Sequence, residues 1–111
     1  MLYISIVLFL VAAVFGVIVA SAIIRKQPTP KPLVYLHGLL GAAALAIVVI
    51  YVLQHKDNSP MVSLILLVVA ALGGFVLFAR DMSKKPGPVV LVLVHALVAV
   101  AGVLGLLMFV M

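Results

Sequence analysis

Two histidines, His37 and His95, are the only ionisable residues well inside the long apolar runs of this 111-residue chain. Imidazole is a common metal ligand and a proton carrier near neutral pH, and an ionisable residue inside a membrane segment is usually functional. The third histidine, His55, falls in a polar stretch between two apolar runs, where it is predicted to be a solvated residue. His37 and His95 are therefore the candidate ligands.

The two histidines occupy the same position in an internal repeat. Residues 1–53 align with residues 59–111 without a gap, with 15 identities in 53 positions, or about 28%. Matches of Val, Leu and Ala arise easily by chance, but a lysine, two prolines, a glycine and a histidine in one register do not. The informative pairs are Ser5/Ser63, Ala12/Ala70, Gly16/Gly74, Lys26/Lys84, Pro28/Pro86, Pro30/Pro88 and His37/His95.

The composition predicts that lipid is the solvent for most of the surface. Hydrophobic residues make up 68% of the chain and charged residues 8%, against about half and about a quarter in an ordinary globular chain. The net charge of +5 resembles that of a nucleic-acid binder, but the charges fall between apolar runs, so no nucleic-acid partner is expected. Without cysteine, disulfides, thiolate metal sites and c-type haem attachment are excluded.

Four apolar runs, residues 2–24, 33–53, 61–79 and 89–111, are each long enough to cross a bilayer, which takes about 20 residues. Short connectors containing proline separate them, so consecutive helices must be antiparallel. The sequence predicts one all-α transmembrane domain, an up-down-up-down bundle of two tandem hairpins, with a pseudo-twofold axis along the membrane normal. Val19–Ala22 resembles a signal cleavage site, but the first run lacks a basic region before it and is too long, so we expect it to be retained.

Loop charge predicts the orientation. Six of the seven basic residues lie in the first and third connectors, and only Lys56 lies in the middle one. The positive-inside rule places loops 25–32 and 80–88 in the cytoplasm and both termini outside. The expected location is the bacterial inner membrane.

The predicted symmetry puts both histidines at one depth near the basic face, on helices that are diagonal neighbours. With adjacent axes about 10 Å apart, the diagonal is roughly 14 Å. That spacing favours two imidazoles ligating one haem iron from opposite faces over a small ion shared directly. Small residues follow each histidine at one, four and seven positions, where a flat macrocycle could lie: Gly38/Ala96, Gly41/Ala99 and Ala44/Gly102. Basic residues of the loops, above all Lys31, Lys84 and Lys85, are the expected partners of the propionates.

This layout of paired helix histidines with small neighbours resembles membrane b-type cytochromes in general. The resemblance implies haem b with His37 and His95 as axial iron ligands, electron transfer rather than self-sufficient catalysis, and a quinone or redox-complex subunit as partner. Small multidrug transporters also have four helices, but they depend on an acidic residue in the first helix, and residues 2–24 contain none.

Two alternatives remain. A histidine in a membrane helix can simply hydrogen-bond a neighbouring helix, and small residues are common at such contacts. The strip Ala12, Gly16 and Ala20 in the first run fits that packing role, as do Ala70 and Gly74 in the third. The chain would then be a cofactor-free accessory subunit of a membrane complex. A channel or carrier is disfavoured because the runs lack polar residues to line a path.

Overall fold

Four α-helices account for nearly the whole chain in the computed structural model, which describes all 111 residues. They are α1 (Leu2–Ile24), α2 (Lys31–Gln54), α3 (Met61–Met82) and α4 (Val89–Val110). Each is 22 to 24 residues long and apolar enough to cross a membrane. The predicted all-α fold with four membrane-spanning helices is confirmed.

Two helix ends differ by more than one residue from the limits predicted from apolarity. Helix α2 begins two residues earlier, at Lys31, because Pro32 is tolerated in the first turn, where its missing N–H has no partner to lose. Helix α3 ends three residues later, at Met82. Polar side chains do not interrupt backbone hydrogen bonding, so α3 continues past its apolar stretch until its backbone is capped.

Helices α1 and α3 end in the same backbone motif, which has a lysine at its left-handed position. Lys26 has a left-handed φ of 55°, and the Gln27 N–H donates to the Ala22 carbonyl across the helix end at 2.9 Å. Lys84, with φ of 58°, and Lys85 repeat the arrangement after α3. This Schellman motif usually has glycine at the left-handed position. The pairing of Lys26 with Lys84 in the repeat therefore corresponds to equivalent helix ends.

Each helix packs on two neighbours in an up-down-up-down bundle. Helix α1 contacts α2 and α4, and α3 contacts α4 and α2, while the diagonal pairs α1–α3 and α2–α4 do not touch through their backbones. The bundle measures 45 × 23 × 21 Å. Two similar hairpins, α1–α2 and α3–α4, stand side by side, an arrangement that is compatible with the repeat.

Large buried side chains are concentrated at one end of the bundle. The core cluster lies near the termini and the middle loop, and comprises Leu2, Ile6, Val48, Val52, Leu67 and Leu106. Towards the basic loops the buried residues are smaller, namely Ala12, Ala22, Val34, Ala70 and Val92. The fully buried hydrophobic residues of the histidine-containing half are therefore no larger than valine.

The outer surface of all four helices is apolar. Only 17 of the 111 residues are buried, so most Val, Leu, Ile and Phe side chains face outward. Such a surface is stable only in lipid, because water would drive so much exposed apolar area to associate.

A polar cluster joins the two hairpins at the basic end of the α2–α3 contact. The Asp81 carboxylate accepts a hydrogen bond from the Thr29 hydroxyl at 2.8 Å and an ion-paired one from the Lys31 ammonium at 2.7 Å. At the equivalent place between α1 and α4, Gly87 lies against Ile23 instead. The two hairpin contacts are thus polar on one side and apolar on the other.

Asp81→Ala should lower the free energy of unfolding by about 1 kcal/mol, since it leaves the buried Thr29 hydroxyl and the Lys31 ammonium without their acceptor. The expected loss of stability is small because the Lys31 side chain is 46% exposed, so that water screens its charge. Asp57→Ala, in the exposed middle loop, is the control and should change stability little. Reversible unfolding in mixed micelles would measure both; equal losses would contradict a stabilising role for the cluster.

Candidate functional site: the paired histidines

His37 and His95 lie at matching depths in the bundle. Each is the seventh residue of its helix, α2 or α4, which places it about 9 Å along the helix axis from the basic loops at 1.5 Å per residue. Both side chains are partly buried.

Each imidazole is anchored by its Nδ1 atom to the preceding helix. His37 Nδ1 lies 2.8 Å from the Ala12 carbonyl oxygen, and His95 Nδ1 lies 2.7 Å from the Ala70 carbonyl oxygen. A carbonyl only accepts hydrogen bonds, so Nδ1 must be the donor in both rings. In the neutral ring, Nε2 then has a free lone pair, which is the form that ligates a metal.

The two rings approach each other across the α2–α4 diagonal. Their centroids are 6.2 Å apart and their planes cross at 81°. Two imidazoles on opposite sides of one metal ion, with nitrogen–metal distances of about 2 Å and ring radii of about 1.1 Å, would have centroids about 6.3 Å apart. The ring distance therefore suits a shared metal ion with or without a macrocycle.

Neither Nε2 atom makes a hydrogen bond. No buried side-chain nitrogen or oxygen in the protein lacks a hydrogen-bond partner. The unpartnered Nε2 atoms are therefore not fully buried, and each is accessible from outside the protein.

A glycine lies against each ring. A Cβ atom placed on Gly16 would come within 2.8 Å of His37 Cε1, and one placed on Gly74 within 3.0 Å of His95 Cε1. The first distance is shorter than Cβ contacts found in proteins and the second is tighter than most of them, so a side chain at either position would require the ring to move.

The small residues that follow the histidines lie in three different environments. Gly38 and Ala96 are exposed on the outer surface. Gly41 and Ala99 are partly buried, and a Cβ atom placed on Gly41 would meet no atom within 4 Å, so there is open space one turn after His37. Ala44 is fully buried and accepts a hydrogen bond from Ser5 at 3.0 Å, whereas Gly102 packs against Leu67.

The basic residues at this end are not equivalent. Lys31, a predicted propionate partner, is ion-paired with Asp81. Lys84 and Lys85, the other two, are exposed just beyond the end of α3. The structure therefore leaves Lys84 and Lys85 free of ion pairs and engages Lys31 in the contact between the hairpins.

His55 is separate from the pair. It is exposed at the end of α2, at the opposite end of the bundle, where its ring stacks on Tyr51 at a centroid distance of 4.1 Å. Its Nδ1 atom lies 3.0 Å from the Tyr51 carbonyl oxygen.

Four residues at the site were assigned by sequence reasoning to helix packing alone. They are Ala12 and Ala70, whose carbonyls hold the rings, and Gly16 and Gly74, which lie against them. One signal could have found them. The separation between the carbonyl residue and the histidine is 25 in both copies, and all three positions are identical in the repeat.

The donor set of the site consists of two imidazoles. No group of three or more His, Cys, Asp or Glu residues is placed to hold a metal ion. A structural zinc ion would need about four ligands from the protein, which this site does not offer. A porphyrin iron needs only two axial ligands, because the macrocycle supplies the other four nitrogens.

The anchoring of the rings predicts their tautomer. In the cofactor-free protein in micelles, ¹⁵N spectra of labelled histidine, at a pH where the rings are neutral, should show His37 and His95 with the proton on Nδ1. His37→Ala and His95→Ala variants would assign the signals. A predominant Nε2–H form in both rings would contradict the carbonyl hydrogen bonds.

No protein-family model, curated protein or solved structure matches this chain. The paired histidines and their immediate contacts are therefore the basis on which a function can be assigned.

Proposed function

We propose that this chain is a small membrane b-type cytochrome that holds one haem between His37 and His95. It would transfer electrons alone or as a subunit of a larger membrane oxidoreductase. The observation that supports this most directly is the pair of Nδ1-anchored rings with centroids 6.2 Å apart and both Nε2 atoms unpartnered.

The hydrogen bonds at Nδ1 are those that metal-ligating histidines usually have. Such a histidine donates its second ring N–H to a carbonyl or carboxylate, which fixes the tautomer and strengthens the ligand. The Ala12 and Ala70 carbonyls provide this contact for His37 and His95. Both imidazoles are thus prepared to ligate through Nε2.

Small residues lie against both rings, where a flat apolar ligand could approach the backbone. Ala12 and Gly16 of α1 contact His37, Ala70 and Gly74 of α3 contact His95, and the large buried side chains of the core cluster lie at the other end. When bound, haem supplies a one-electron redox centre, whose reduction potential depends on its axial ligands and the polarity around it. With both axial positions taken by histidine, electron transfer is favoured over oxygen binding.

Positive charge at the nearby end would complement the propionates. Lys84 and Lys85 are exposed and make no ion pair, unlike Lys31. In this proposal they replace Lys31 as the partners of the two carboxylates. A quinone or another membrane subunit would serve as the electron donor or acceptor at the apolar outer surface.

A cofactor-free accessory subunit is the second candidate, and one observation favours it. The Nδ1 hydrogen bonds join α1 to α2 and α3 to α4, which is a structural role that needs no ligand. The same protein would then co-purify with fixed membrane partners and have no visible absorption.

Absorption spectra test the proposal directly. Protein expressed with sufficient haem and purified in mild detergent should show a Soret band and, after reduction, the α band of a low-spin b-type haem. His37→Ala and His95→Ala should each abolish the low-spin spectrum, because each removes one axial ligand. His55→Ala is the matched control and should leave the spectrum unchanged, since that ring lies at the opposite end.

A colourless protein after haem supplementation would contradict the proposal and favour the accessory subunit. A spectrum that survives either His37→Ala or His95→Ala as an unchanged low-spin species would refute the ligand assignment.

We further propose that the basic loops face the cytoplasm and both termini face outward, in a membrane of the bacterial inner-membrane type. The support is the distribution of charge, with six of the seven basic residues at one end of the bundle.

Cysteine labelling tests this orientation cleanly because the chain has no cysteine of its own. Asn58→Cys, in the exposed middle loop, should react in intact cells with a membrane-impermeant maleimide. Ser83→Cys, in the exposed third connector, should react only after the membrane is permeabilised. The reverse pattern would invert the orientation.

A further inference from the structure

We infer that Gly16 and Gly74 are positioning residues that seat the imidazoles of His37 and His95 for haem ligation. The inference rests on the proposed function, which it deepens by adding two residues to the site. Neither glycine would touch the iron; each acts through the histidine that lies against it.

Helix geometry explains why glycine is needed at these places. In α1 the Ala12 carbonyl accepts the N–H of the residue four positions later, which is Gly16. Side chains on a helix lean towards its N-terminus, so a side chain at position 16 would stand beside the Ala12 oxygen. The His37 ring must cross that spot to donate its Nδ1 proton to the same oxygen.

The second copy has the same arrangement. The Ala70 carbonyl takes the place of Ala12, and Gly74 that of Gly16, against the His95 ring. The closest approach of a Cβ atom to the ring would be 2.8 Å at Gly16 and 3.0 Å at Gly74. Each ring thus has a seat, formed by Ala12 and Gly16 for His37 and by Ala70 and Gly74 for His95, and the two seats hold the rings at matching depth.

A Cβ atom placed on Gly73 would stand 3.8 Å from His95 Cβ and Nδ1, which is an ordinary contact, and none of the remaining glycines lies against a histidine ring. Gly38 and Gly41 have open space where a Cβ would stand. Gly102 and Gly105 are tightly packed, but against Leu67 and Ser63, nearer the opposite end of the bundle. These positions separate the effect of a ring seat from the general effects of adding a methyl group to a helix.

A methyl group on Gly16 would displace the His37 ring from the Ala12 carbonyl. The ring lies at the end of a side chain that can rotate, so the backbone need not move. The Nδ1 hydrogen bond would weaken, and the Nε2 atom would move from its position in the paired arrangement. Loss of such a supporting contact lowers metal affinity by about 10- to 100-fold in characterised sites.

The experiment compares three glycine-to-alanine variants of the full-length chain. Gly16→Ala and Gly74→Ala change the positions that lie against the rings, and Gly105→Ala creates a contact with Ser63 far from the histidines. Haem affinity, the low-spin signature in electron paramagnetic resonance, and the ¹⁵N tautomer of each histidine in the cofactor-free protein are measured for all three.

We expect about a tenfold or greater loss of haem affinity and a partial change to high spin in Gly16→Ala and Gly74→Ala. In the cofactor-free protein, each variant should lose the Nδ1–H signature of its own histidine and keep that of the other. Gly105→Ala should lower stability without altering either histidine.

Unchanged affinity and tautomers in both seat variants would overturn the inference, as would equal haem loss in Gly105→Ala. If Gly16→Ala fails to fold, Gly74→Ala, whose contact is less severe, decides the outcome. A chain that binds no haem at all would defeat the proposed function, whereas the tautomer measurement would still decide whether the glycines seat the rings.

Discussion

The organisation of this site depends on a hydrogen bond from an imidazole to a carbonyl that already accepts a hydrogen bond within its own helix. In lipid, every backbone polar group must find its partner within the helix, so a side chain from a neighbouring helix can only share a carbonyl through its second lone pair. His37 and His95 share the carbonyls of Ala12 and Ala70 in this way. That hydrogen bond fixes the proton on Nδ1, leaves Nε2 without a partner, and disfavours a side chain four residues further along the preceding helix.

The two ends of the bundle are stabilised by different kinds of contact. Large side chains pack near the termini, and small ones surround the histidines, where helix contacts depend on close backbone approach and shared hydrogen bonds. The two contacts between the hairpins are no longer alike, since Thr29 and Asp81 meet on one side and Gly87 and Ile23 on the other. At the basic end, polar contacts therefore join the two hairpins on one side and apolar packing joins them on the other.

Much of this architecture could be predicted from sequence, because a bilayer permits few solutions for four apolar runs with short connectors. The limits of α2 and α3 were less accurate, since apolarity marks where a helix meets lipid and not where its backbone hydrogen bonds stop. The matching depth of His37 and His95 followed from the repeat. The seats at Gly16 and Gly74 did not, because a glycine beside a ring and a glycine between two helices look alike until the facing side chain is placed.

The lysines at the ends of α1 and α3 have a consequence for how the protein enters its membrane. Lys26 and Lys84 adopt the left-handed conformation, which costs a residue with a side chain about 1 kcal/mol or more and glycine almost nothing. Glycine there would make a more stable helix stop but would remove a positive charge at the boundary of the membrane. In the proposed orientation, the residue that terminates each helix would also help to retain its loop in the cytoplasm during insertion, so that folding stability and topology would be linked at these two positions.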